Sequence, residues 1–149
     1  SMLVKGMALQ GDWQPVFQYF AKELERQSAI REFIEGEAHI KGFLLAYLGL
    51  TKGYIIFPEH ESSKGYADFY MMPDLVRQPE IAYSYIVEVK YARRNATDAE
   101  IANLKAQAAE QLHQYAADEK VQKTKGNTEL RLITLIFRGW ELECFEVRL

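Results

Sequence analysis

The sequence predicts an α/β (α+β) domain: a central mixed β-sheet flanked by helices. Three observations carry this reading. Apolar residues recur at helical spacing from residue 12 to residue 50, then alternate with period two from residue 53, then return to helical spacing at residue 97. Two further alternating stretches close the chain. The resulting order of two helices, three strands, a long helix and two strands is that of a sheet with helices packed on it. The length, 149 residues, suits one domain, 1–149, with a single core, and no repeat, low-complexity tract or linker interrupts it.

The elements follow in order. "DWQPVFQYFAKELERQ" (12–27) places Trp13, Val16, Phe17, Phe20 and Leu24 on one helical face. Asp12 is the expected N-cap, with Pro15 tolerated in the first turn. The aromatic residues of this face read as core, or as a surface that meets a preceding domain. "AIREFIEGEAHIKGFLLAYLGL" (29–50) gives a second helix, ended by Gly49 and Gly53. Residues 53–61 and 64–73 read as strands joined across the polar "ESSK" turn, and 74–80 as a polar connection. "IAYSYIVEVKY" (81–91) is the most apolar strand and is expected to be central. Residues 97–121 form an alanine-rich helix, with Thr97 as N-cap and Glu100 completing a capping box. Residues 130–139 and 141–149 are closing strands around Gly139-Trp140.

Composition narrows the class. Hydrophobic residues make up 48% and charged residues 26%, which is globular rather than disordered. The apolar run "GFLLAYLGL" is too short to span a membrane and reads as a buried helix. The start lacks the basic and apolar regions of a secretory signal. Ser1 before Met2 reads as a residue left from expression, and the chain as a domain excised from a longer protein. Cys144 is the only cysteine, so no disulfide forms within the chain and a reducing cytoplasm is expected. The formal net charge of −3 does not describe a protein coated for nucleic acid, though it leaves room for a local basic patch.

The candidate chemistry lies on the strands. Glu88 and Lys90 are two apart in "YIVEVKY" and so share one strand face. A solvated face accounts for such a pair on its own. Asp68 lies on the preceding strand, where a meander can bring it towards Glu88. Converging carboxylates repel unless a cation lies between them, and carboxylates with waters are the usual donors to Mg²⁺. Lys90 beside such an ion can orient a water and stabilise charge on a phosphate. Gln111 and Tyr115 are four apart on the long helix and can aim at the same cleft.

Gly65-x-x-Asp68, Glu88-Val89-Lys90 and Gln111-x-x-x-Tyr115, in this order, resemble the PD-(D/E)xK nuclease superfamily. More narrowly, "GEAHIKGFLLAYLGL", "KGYADFYMMP" and "YIVEVKY" resemble the nuclease-like domain at the C-terminus of bacterial AAA-ATPase-like proteins. The resemblance covers roughly residues 30 to 140 and implies a restriction-endonuclease-like core of αβββαβ order. It implies Asp68 and Glu88 as metal ligands, helped by the Val89 carbonyl, and Lys90 as the group that assists the attacking water. Glu37 matches an acid that places metal or water, and Gln111 and Tyr115 match an element that supports the site or touches the substrate strand. Ala67 stands where the family usually has proline. The implied activity is hydrolysis of DNA phosphodiester bonds with Mg²⁺ or Mn²⁺, with an ATPase domain preceding this one in the full-length protein. The alternative is a catalytically weak module of the same fold that binds nucleic acid or a partner protein, or regulates the ATPase domain.

Competing readings stand beside these. Glu37 has Glu32 and Glu35 nearby and can be helix-surface charge. Glu59 is a competing acid for the site. Lys90, Arg93 and Arg94 form a basic cluster that can meet a phosphate backbone or stay solvated, whereas Lys120, Lys123 and Lys125 read as a solvated helix end. His39, His60, His113 and Cys144 lack the spacing of a zinc site.

Overall fold

A computed structural model describes residues 2–28, 37–58 and 69–149. In chain order the elements are α1 (Met2–Gln10), α2 (Gln14–Ser28), α3 (Glu37–Leu48), β1 (Tyr54–Pro58), β2 (Phe69–Pro73), β3 (Tyr83–Ala92), α4 (Asp98–Ala116), α5 (Glu119–Thr124), β4 (Glu129–Arg138) and β5 (Glu141–Val147). The strands form one five-stranded sheet in the order β1-β2-β3-β4-β5. Only the β3–β4 pair is parallel. Two strands that run the same way need a crossover between them, and α4 with α5 supplies it. The mixed sheet and the central place of β3 agree with the sequence reading.

Two faces of the sheet are covered. On one, Phe17, Phe20, Leu24, Ile40 and Leu44 pack with Val87, Val89, Leu135 and Phe137. On the other, Leu112, Ala116 and Val121 meet Ile86 and Leu132, and Ile101 meets Ala92 and Ile136. Burial on both faces is why 83–92 and 129–138 read as nearly continuous apolar runs.

Three boundaries differ from expectation. The first is a helix, α1, in a stretch where only the absence of a secretory signal was read. It is short and interrupted by Gly6, and the buried side chains of Val4, Met7 and Ala8 tie it to the rest of the protein. The second is the start of α2. This helix begins at Gln14, so Trp13 rather than Asp12 precedes it. Gly11, at φ +73°, turns the chain between the two helices, and the Asp12 N–H donates back to the Gly6 carbonyl at 3.1 Å. The third is the long helix, which begins as expected, with the Thr97 hydroxyl accepting from the Glu100 N–H. It stops at Ala116, because Asp118 caps a new helix by accepting from the Lys120 and Val121 N–H groups.

The C-terminal carbonyls of a helix lack partners within it. Here β3 and its approach supply two. The Tyr85 hydroxyl donates to the Met7 carbonyl at 2.5 Å, and the Ala82 N–H to the Ala8 carbonyl at 2.9 Å. Burial raises the Tyr85 pKa well above the usual phenol range, so the hydroxyl stays a donor. Tyr85→Phe removes this bond and strands a buried carbonyl. The expected loss is about 1–3 kcal/mol of unfolding free energy, read by urea denaturation.

Candidate functional site

Strand β3 alternates strictly. Tyr85, Val87 and Val89 belong to the core under α1–α3, while Ile86 and Ala92 belong to the clusters under α4. Period two therefore puts Glu88 and Lys90 on the α4 side. That face is not solvated: the Glu88 side chain is 1% exposed and that of Lys90 12%, with Nζ 3.1 Å from the Glu88 Oε1. The solvated-face reading of E-x-K is thereby corrected. An α-helix covers the strand, and the two charges are buried as a pair.

The parallel ladder sets Ile86 opposite Leu132, Glu88 opposite Thr134 and Lys90 opposite Ile136. Leu112 covers the first of these rungs, and Ile101 packs near the last. Between the two apolar clusters lies a polar rung, Glu88 with Thr134. On α4, Ala108 is fully buried, on the face it shares with Ile101 and Leu112.

Gln111 and Thr134 have an unusual feature in common. Gln111 Oε1 and Thr134 Oγ1 are buried and make no hydrogen bond among the described residues. Each such group costs about 1–3 kcal/mol. Burying the two ions costs several kcal/mol each before their attraction offsets it. Glu88 and Thr134 thus stand side by side as costly buried polar groups on the central strands, an arrangement typical of functional sites.

The remaining sequence-predicted residues are placed as follows. Tyr115 is half-buried with its ring 6.4 Å from that of Tyr70, whose hydroxyl meets Thr124 Oγ1 at 2.9 Å. Val89 is buried in the central strand. Asp68 and Glu59 lie outside the described residues, as does the side chain of Glu37. Glu37 opens α3, whose Ile40, Leu44 and Leu48 pack on the sheet face opposite Glu88. Phe69, the residue bonded to Asp68, pairs with Val87.

Arg93 and Arg94 are exposed just beyond β3. Arg94 lines a cavity of about 350 Å³ with Glu25, Arg138, Trp140 and Glu141. A larger apolar cavity of about 530 Å³ lies between α1, the end of α3 and the β2–β3 connection, and neither Glu88 nor Lys90 lines it. The zinc reading gains nothing among the described residues. His113 Nε2 is bonded to the Arg148 carbonyl, and burial pushes the Cys144 thiol up to about 11. No group of three potential metal-binding side chains occurs among them.

Thr134 is the one residue of this face that sequence reasoning missed. It sits in "LRLITLIFRG" as an ordinary β-branched strand former. Only the register reveals that it stands beside Glu88.

A family model described as the PD-(D/E)XK nuclease superfamily matches residues 35–146. No curated protein and no solved structure matches.

The buried pair makes a prediction about stability. Lys90→Met removes the ammonium 3.1 Å from the Glu88 carboxylate and is expected to cost about 3 kcal/mol at neutral pH. Adding Glu88→Gln is expected to restore most of that loss. Chemical denaturation of the four proteins in a double-mutant cycle reads both, and additive losses contradict the coupling.

Proposed function

This chain belongs to the PD-(D/E)XK nuclease superfamily, and on that premise we propose that it is a divalent-metal-dependent phosphodiesterase acting on DNA. The observation that carries the reading is the Glu88–Lys90 pair, held 3.1 Å apart under α4 on the central strand. In the sequence Asp68 immediately precedes Phe69, which pairs with Val87, the neighbour of Glu88. The strand donors on this face are oxygens, the Glu88 carboxylate and the Thr134 hydroxyl, and α4 buries the Gln111 amide oxygen. Oxygen donors suit a hard cation such as Mg²⁺ or Mn²⁺.

In this proposal Asp68 and Glu88, with the Val89 carbonyl, hold the ion. When bound, it would polarise the phosphate and lower the pKa of a water. Lys90 supplies fixed positive charge in a largely water-free setting, where it stabilises charge building on phosphate oxygens and orients the attacking water. Gln111 supports the site from α4 through its buried amide oxygen. Tyr115, packed beside Tyr70, stiffens the approach to β2, and Glu37 would have to act from the first residue of α3, because that helix packs on the other face of the sheet. Arg93 and Arg94, exposed beyond β3, offer charge to a phosphate backbone.

The proposal extends to context. The domain acts in a reducing cytoplasm, in keeping with Cys144 as its only cysteine, beside an ATPase domain in a bacterial protein. No helix among the described residues is long and apolar enough to cross a membrane. A second reading, a module that keeps the fold but binds a partner with little activity, is favoured by one observation, the net charge of −3.

The test is cleavage of plasmid and single-stranded DNA, with RNA in parallel. Cleavage of DNA is expected with Mg²⁺ or Mn²⁺, none with chelator, and a fall to background in Asp68→Ala and in the isosteric Glu88→Gln. Activity that survives both substitutions contradicts the site. Folded wild-type protein without activity on any substrate supports the second reading.

A further inference from the structure

We infer that Thr134 is a positioning residue for the Glu88 carboxylate, acting when that carboxylate holds a divalent cation. The inference rests on the metal-dependent reading above. Three observations carry it. Thr134 is the ladder partner of Glu88 in the parallel β3–β4 pair, and strands in a ladder lie about 4.8 Å apart. Leu132 and Ile136, two residues either side of Thr134, pack with the α4-side clusters, so the hydroxyl faces the same way as the carboxylate. Thr134 is 0% exposed, and its Oγ1 makes no hydrogen bond among the described residues.

The hydroxyl therefore adds nothing to the packing that a valine of the same shape would lack. Leu132 and Ile136 on its own face are fully buried and apolar, a setting in which valine fits better. What the hydroxyl can add is a donor. A carboxylate accepts several hydrogen bonds, and Lys90 reaches the Glu88 Oε1. A cation held by Glu88 would compete with the Lys90 ammonium for the carboxylate, and Thr134 would then offer the carboxylate a further, neutral donor from across the ladder. Such a bond fixes the orientation of a ligating carboxylate and typically supports affinity by 10- to 100-fold. It also leaves the Lys90 ammonium available to the phosphate.

The experiment measures Mn²⁺ binding by calorimetry, and thermal unfolding without metal, for wild type, Thr134→Val and Thr134→Ser. Thr134→Val is expected to weaken Mn²⁺ binding about tenfold or more while its metal-free midpoint stays at or above that of wild type. Thr134→Ser, which keeps the hydroxyl, is expected to bind like wild type. Unchanged binding by Thr134→Val overturns the inference. So does a metal-free midpoint that falls by several degrees together with the binding, because the hydroxyl then supports the fold rather than the carboxylate. Failure of Thr134→Ser to bind like wild type overturns it as well. Absence of Mn²⁺ binding by the wild type overturns the metal-dependent reading itself, and the role of Thr134 with it.

Discussion

The structure turns on one buried ion pair. Glu88 and Lys90 sit 3.1 Å apart on the central strand of a five-stranded sheet, the carboxylate buried and the ammonium nearly so. Buried ions are costly, and a marginally stable domain can hold them only where their surroundings are rigid. The rest of the architecture supplies that rigidity. β3 pairs with β4 along its whole length and with β2 at Tyr85, Ile86 and Val87, and is covered on both faces. One cover is the α1–α3 layer, which holds Tyr85, Val87 and Val89 in a dry core. The other is α4, which seals the polar rung from above.

The α4 layer is where fold and chemistry meet. Its apolar contacts divide into two clusters, one around Ile86 and Leu132 and one around Ala92 and Ile136. Apolar clusters on either side of a polar rung keep water away and lower the local dielectric, which strengthens every charge interaction there. The same helix buries Ala108 and the Gln111 amide oxygen. The parallel pairing of β3 with β4 then decides what stands beside Glu88. A slip of one residue would bring Ile133 or Leu135 there instead of Thr134.

Much of this was legible in the sequence, for physical reasons. The alternation of "YIVEVKY" marked a strand and put its two charges on one face, and the apolar density around them marked that strand as central. Thr97 announced the start of α4. What the sequence did not show depends on tertiary contacts. α1 carries little helical signal of its own, and its identity as a packed helix comes from Tyr85 and Ala82, which satisfy its last carbonyls. Asp118 looked like one more polar residue of a long helix until its carboxylate is seen to cap the next one. The burial of Glu88 was ambiguous because a strand pattern does not say whether a helix covers the face. Thr134 was invisible because register between strands distant in sequence is written in no local motif.

The central claim is that the Glu88 face of β3 is one wall of a metal site completed by Asp68. The most direct measurement is a crystal structure of the protein soaked with Mn²⁺, read by its anomalous signal. The account predicts a peak about 2.0–2.3 Å from carboxylate oxygens of both Glu88 and Asp68. A well-ordered structure with no peak there, or with the Mn²⁺ bound by other residues, would contradict it.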